Sequence, residues 1–355
     1  MAASKGSPLT ERTRKQRLPW QKPTLKTISE ITGLGITTVS RALKDGPELS
    51  VETRARVQAV ASEIGYRPDR AGVRLRTGRT FVIGLILDQA VSVAEFERRI
   101  ILGVSRVLHN TSYHLVVKPQ HHLEDPMDPI RYFVESGAAD GLIFTHTRPD
   151  DPRVAYLLER NFPFVTHGQT DLELAHPFYD FDNHDFAYQA ARRMARNGRR
   201  RLTLIAPPKV LTCHRHAVEG FRKGVRETGV QALVTEEVHI DETAENFRRA
   251  GITLARSALP PDGIVCASEM GCVALMAGLR EGGVRVGRDV DVIAKATSEL
   301  LDHLDPMIDS FYEDLTFAGE ELGRLMLRRI SGAPLAELQT LAQPVLQERK
   351  SLVLN

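Results

Sequence analysis

Residues 34–46 read LGITTVSRALKDG, a helical-looking stretch in which Thr37, Thr38 and Ser40 supply short hydroxyls and Arg41 a guanidinium. Packing alone would accept alanine or leucine at several of these places. Short hydroxyls let a helix approach base edges and phosphates closely, and an arginine pairs with a phosphate or a guanine. A second stretch, Cys213-His214-Arg215-His216, carries residue types that ligate metals. Zinc requires about four ligands, and no second Cys or His pair stands at a suitable spacing, so no metal is expected. His121-His122 lies in a polar loop and pairs with nothing. Neither a G-x-S-x-G elbow nor a G-x-x-x-x-G-K-[ST] phosphate loop is present, and the glycines of GLGITTV follow no strand. No Asp or Glu pair marks itself as a catalytic acid and base. No cofactor is expected and no enzymatic residues are assigned.

The elements around residues 34–46 must present that polar face. Thr24 sits just before the apolar-periodic Leu25, Ile28 and Ile31, where a hydroxyl caps the first free N–H groups of a helix. Gly33-Leu34-Gly35 supplies a sharp turn. A second helix is predicted from Ile36 to Leu43, with Val39, Ala42 and Leu43 inside and Ile36, Thr37, Thr38, Ser40 and Arg41 outside. Lys44-Asp45-Gly46-Pro47 breaks it. Ser50 caps a third helix, with Glu52 in its first turn and Val57, Val60 and Ile64 inward. It stops at Gly65-Tyr66-Arg67-Pro68. This order is the helix-turn-helix plan, whose second helix enters the DNA major groove. A three-helix bundle with an idle polar face is the rival reading.

Charge separates this head from the rest. Residues 1–79 hold 16 Lys or Arg and 7 Asp or Glu, a net +9; the remaining residues hold 31 and 38, a net −7. A basic head on an acidic body points to a polyanion partner for the head, with a solubilising tail as the plainer explanation. Residues 1–21 are basic with no apolar stretch behind them, and are expected to be a disordered extension and not a secretory signal. Three cysteines exclude a disulfide framework and fit a reducing cytosol. No apolar run approaches membrane-spanning length.

From Phe81 onward short apolar runs alternate with amphipathic segments: FVIGLIL, YHLVV, GLIFTH and FPFVTHG, then RLTLIAP, EEVHI, GIVCAS and VDVIAK. Such alternation predicts doubly wound parallel sheets. Two sets predict two lobes, with a ligand cleft at the carboxyl ends of the strands.

The stretches TLKTISEITGLGITTVSRAL and SVETRARVQAVASEIGYRPDRAGVRLRTGRT resemble the LacI/GalR family of bacterial repressors. The resemblance runs over about residues 22–354, with DFDNHDFAYQAARRMARNGRRRLTLI, EGFRKGV and LQERKSLVLN as further signatures. It implies a helix-turn-helix head over 22–68, a hinge helix over 69–79, and a periplasmic-binding-protein-like effector and dimerisation domain over 80–355. Ile36 and Thr37 occupy the family's base-reading positions, and Thr24, Thr38, Ser40 and Arg41 also fall on its DNA-binding pattern. Gly35 stands where the family usually has a capping serine, and its permissive backbone is expected to substitute for that cap. Leu75 is the implied wedge into the minor groove, with Arg70, Arg74 and Arg76 on phosphates. Gly72 weakens this helix by about 1 kcal/mol relative to alanine, so the segment is expected to be unfolded without DNA. Crossings between lobes are expected near 168–180 and 298–312, with 313–330 returning to the first lobe.

By position at strand ends, Asp88, Phe96, His146, Gln169, Asp182, Arg215, Ser268 and Lys295 are expected around the ligand, with capping or lobe contact as the plainer role for each. Ala217 and Ala294-Lys295-Ala296-Thr297 replace family residues that grip sugar hydroxyls. Lys295, Arg215, His214 and His167 therefore suggest an acidic or phosphorylated sugar; a Lys295 turned to solvent or paired with Glu299 is the alternative. The resulting expectation is a ligand-responsive, cytoplasmic, nucleoid-associated regulator, most often a repressor in this family. It binds a near-palindromic operator as a homodimer, with tetramers left open. A DNA-binding head fused to a sugar-modifying enzyme, and a solute-binding protein, are the competing classes.

Overall fold

The computed structural model describes residues 22–67, 70–88, 94–120, 125–235 and 238–348. The basic extension expected over 1–21 lies outside them. The chain divides between Thr80 and Phe81 into two compact units.

In the first unit Thr24 caps α1 (Leu25–Thr32): its hydroxyl accepts from the Thr27 amide at 3.3 Å, and Thr27 Oγ1 accepts from the Thr24 amide at 3.2 Å. Gly33 ends the helix at φ +72°, its amide donating to Ser29 O at 2.9 Å, a left-handed backbone that costs glycine little. The second helix, α2, spans Ile36–Ala42, and α3, Val51–Glu63, begins where Ser50 Oγ accepts from the Thr53 amide at 3.2 Å. Ile28, Val39, Ala42 and Val57 are fully buried where the three helices meet.

Two expectations for this unit are corrected. Gly35 adopts φ −61° and ψ 146°, a conformation open to any residue, so its permissiveness is unused and α2 starts with no side-chain cap. Residues expected to be unfolded form a fourth helix, α4 (Arg70–Thr77). Gly72 is its one poor helix former besides the branched Val73 and Thr77, and Gly78 closes it at φ +70° with its amide on Arg74 O at 2.8 Å.

The second unit is two lobes. The first contains β1 (Val82–Asp88), α5 (Ala94–Leu108), β2 (His114–Gln120), α6 (Met127–Glu135), β3 (Gly141–Phe144), α7 (Pro152–Glu159), β4 (Phe164–His167) and β5 (Phe178–Phe181). The second contains α8 (Asn183–Arg196), β6 (Arg201–Ile205), α9 (Thr212–Thr228), β7 (Gln231–Val234), α10 (Ala244–Arg256), β8 (Gly263–Cys266), α11 (Glu269–Glu281), β9 (Asp291–Ala296) and β10 (Asp309–Tyr312). The chain then returns as α12 (Leu315–Ile330) and β11 (Gln339–Ala342) to the first lobe, and crosses once more into β12 (Leu346–Gln347). Strand orders are β11-β5-β4-β3-β1-β2 and β12-β10-β9-β8-β6-β7. Every pairing between these strands is parallel except β10 with β12.

Helices cover both faces of each sheet, which is why the central strands read as unbroken apolar runs. Ile100, Val104, Ala318 and Leu322 of α5 and α12 pack one face of the first sheet, and Ile130, Phe133, Val154 and Leu157 of α6 and α7 the other. In the second lobe Phe186 and Phe221 of α8 and α9 oppose Phe247 and Leu275 of α10 and α11 across the sheet. Gly220 lets α9 touch the His184 carbonyl of α8, where a Cβ would collide.

The crossings fall later than expected, at Asp182 and at Glu313-Asp314. The polar residues within FYDF and DSFY hide two strands that extend the sheets before the chain changes lobes. The strand expected in EEVHI instead lies at Gln231–Val234, an exposed edge with no apolar alternation, while Val238 is buried as a loop residue. No helix among the described residues is long and apolar enough to cross a membrane.

Candidate functional site

The head presents the polar face that its sequence suggests. Ile36 is 49% exposed despite being apolar, Thr37 and Arg41 are exposed, and Thr38 and Ser40 are half-buried beside the buried Val39 and Ala42. Arg41 Nε lies 3.6 Å from Glu48 Oε1, with both side chains open to solvent. Thr24 is exposed and its hydroxyl caps α1. Leu75 is 90% exposed on α4. Arg70 opens α4, but the roles given to its side chain and that of Arg76 lie outside the described residues.

In the body, the carboxyl ends of the strands meet at the crossovers. Lys295, the penultimate residue of β9, has its Nζ 2.8 Å from Asn183 Oδ1, 3.1 Å from Glu313 Oε2 and 4.7 Å from the Phe181 ring centroid. Asn183 Nδ2 donates to Phe181 O at 2.9 Å, which fixes the amide so that its oxygen faces the ammonium. Glu313 is buried on the crossover into α12, and its amide donates to Ala296 O at 2.8 Å. Burial pushes the Glu313 carboxyl up, but Lys295 and His167 outweigh it and hold it at about 2. His167 Nε2 approaches Glu313 Oε1 at 3.6 Å, too far for a hydrogen bond, and is a buried nitrogen without one among the described residues.

Beside this floor, Phe96 of α5 meets the His167 ring edge-on at 5.2 Å and the His146 ring at 5.9 Å. His146 is held at φ +55°, a conformation that strains a residue with a Cβ. Its carbonyl accepts from Arg153 Nη2 at 2.9 Å, and Arg153 pairs with Asp151 at 2.6 Å, both buried. Burial pushes the Asp151 carboxyl up, yet the Arg153 guanidinium and two backbone amides bring it below its ordinary value. Gln169 donates its side-chain amide to buried Asp180 at 3.1 Å, and burial pushes that carboxyl up.

Elsewhere along their boundary the lobes touch directly. The Thr212 amide and hydroxyl, from α9, donate to Thr147 O of the first lobe at 3.0 and 3.2 Å. Arg215 pairs with Asp171, and His216 Nε2 lies 3.8 Å from the same carboxylate.

Of the ligand residues expected from sequence, Phe96 and His146 lie together, and Gln169 and Lys295 are on the floor network. Arg215 joins the lobes through Asp171. Asp182 and Ser268 take the plainer role, capping α8 and α11 by accepting from the Asp185 amide at 2.8 Å and the Gly271 amide at 3.0 Å. Asp88 ends β1, and its side chain lies outside the described residues. Two of the cations behind the expectation of an anionic ligand have protein partners. Lys295 neither faces solvent nor meets Glu299; Glu313 neutralises it, and Asp171 pairs with Arg215. His214 turns its Nδ1 to Pro207 O at 2.7 Å and lines a separate surface hollow of about 320 Å³ with Phe221 and Leu233. Sequence reasoning missed Glu313, Asn183, Asp171 and Thr212. Asn183 and Asp180 stand inside the DFDN stretch singled out as a signature, whereas nothing local marks Glu313 as the partner of Lys295.

Known proteins share both units. Residues 24–69 match the bacterial regulatory proteins of the lacI family, and residues 191–352 match the periplasmic binding protein-like domain. The HTH-type transcriptional regulator AglR of Rhizobium meliloti (strain 1021) is 32% identical over 323 residues, covering 88% of this chain and 86% of AglR. Among solved structures, the complex of the transcriptional regulator CelR with cellobiose is 26% identical, with a TM-score of 0.67 over 93% of this chain and 100% of CelR. The lac repressor dimer bound to operator and the anti-inducer ONPF has a TM-score of 0.82 over 93% of this chain and 99% of its own, at 19% identity, and is alike in fold.

Proposed function

The chain belongs to the lacI family of bacterial regulatory proteins, and on that footing we propose that it is a dimeric repressor whose operator affinity is set by a neutral, hydroxyl-rich sugar in the cleft. It is a transcription regulator and not an enzyme. The finer reading places it in the cytoplasm, with each head on one half of a near-palindromic operator, since half-site symmetry mirrors protein symmetry. The observation that carries it is the outer face of α2, where Ile36 and Thr37 of the first turn and Arg41 of the last stand exposed over a closed three-helix core. An apolar side chain left in water at that place gains contact with a thymine methyl in the groove.

The neutral effector rests on the paired charges. An anionic sugar would have to displace Glu313 or Asp171 from its cation, whereas hydroxyls can use His167 Nε2 and the ring of Phe96. CelR was solved with cellobiose, and a neutral disaccharide is the corresponding probe here. The sugar acts only through its different affinities for two lobe arrangements. The test is Arg41→Ala in the full chain against duplexes from the region upstream of its own gene. Loss of retention in a gel shift, at unchanged melting of the body, is expected. Undiminished retention contradicts the assignment of α2.

A further inference from the structure

We infer that Lys295 and Glu313 form a hinge pin that sets the angle between the two lobes, so that Lys295 acts as a positioning residue for effector response and not as a ligand to the effector. The inference rests on the reading of the cleft as an effector site. Asn183 is the first residue of α8 after the first crossover, and Glu313 stands on the second. The Lys295 ammonium joins them, at 2.8 Å to Asn183 Oδ1 and 3.1 Å to Glu313 Oε2. An ammonium has three N–H groups, and the third side of this one faces the Phe181 ring at 4.7 Å. Two protein oxygens and an aromatic ring thus surround it, and the Glu313 carboxylate already offsets its charge.

Glu313 is divided between the lobes. Its backbone belongs to the second lobe through the bond to Ala296 O at 2.8 Å, and one carboxylate oxygen faces Lys295 there. The other oxygen faces His167 at the end of β4 in the first lobe, at 3.6 Å. A rotation of the lobes about the crossovers carries His167 past a carboxylate that Lys295 holds in place. The pair thereby fixes where His167, and with it the first lobe, settles against the second. The bond from the Thr212 amide to Thr147 O at 3.0 Å, a separate contact between the lobes, reports that setting.

The experiment is amide hydrogen exchange on the full chain, wild type against Lys295→Met, Glu313→Gln and the double variant Lys295→Met/Glu313→Gln. Each single variant leaves one buried partner unmatched and is expected to speed exchange both in the cores of β6 and β8 and at Thr212. The double variant leaves no buried charge unpaired. Its core amides are expected to return to within about twofold of wild type while the Thr212 amide stays at least about tenfold faster. Thr212 protection restored together with the core would reduce the pair to a stability element and overturn the inference. So would a double variant with fast exchange everywhere in parallel. Exchange requires neither sugar nor DNA, so this result stands apart from any failure to find operator or effector.

Discussion

Glu313 holds a buried charge at the hinge, and its stability has a pH signature. In the folded chain burial pushes its carboxyl up while Lys295 and His167 bring it down to about 2, against an ordinary 4.5. A carboxyl lowered by folding contributes stability that is fully present above its unfolded value and is lost as pH falls through its folded value. The body is therefore predicted to lose melting temperature between about pH 4.5 and 2, with Glu313→Gln flattening that decline. Thermal melts of wild type and variant that run parallel across the window would contradict the assignment. Arg41 differs because its partner Glu48 is exposed like itself, and such surface pairs are worth about 0–1 kcal/mol. A phosphate or guanine can replace Glu48 at little cost, consistent with a guanidinium held ready and not locked.

At the scale of elements, α2 and α4 carry the predictions. Gly35 leaves the N-terminus of α2 without a side-chain cap, and a Cβ there would meet only Thr38 Oγ1 at 3.9 Å. Gly35→Ser is predicted to stabilise α2 by a few tenths of a kcal/mol, seen as slower amide exchange at Thr37 and Thr38; unchanged exchange would mean that the end is already satisfied. Leu75 stands 90% exposed on α4, where no core holds it. Leu75→Ala is predicted to abolish operator bending, read as gel mobility across circularly permuted duplexes, while weak salt-sensitive binding persists. Bending equal to wild type would remove the wedge. The helices of the head were legible because caps at Thr24 and Ser50 and the apolar positions of Ile28, Val39 and Val57 are local signals. The buried runs GLIF and GIVC were legible for the same reason. β5, β7 and β10 were not, because Tyr179, Asp180 and Ser310 interrupt their apolar runs and β7 is an exposed edge. The pairing of Lys295 with Glu313 joins two strand ends whose approach only the sheet order determines.

Over the whole molecule, a net +9 head and a net −7 body divide the labour between gripping a polyanion and tuning the grip. Coupling requires that the sugar prefer one lobe arrangement. A change of tenfold in operator affinity corresponds to about 1.4 kcal/mol of differential binding. The central claim is tested most directly by fluorescence anisotropy of full-length protein on a labelled duplex from its own upstream region, at fixed salt, with cellobiose and glucose 6-phosphate each titrated to millimolar levels. The account predicts specific binding that the neutral disaccharide shifts at least about fivefold and the phosphorylated sugar leaves alone. A duplex bound with the same affinity under all three conditions, or not bound at all, would contradict it.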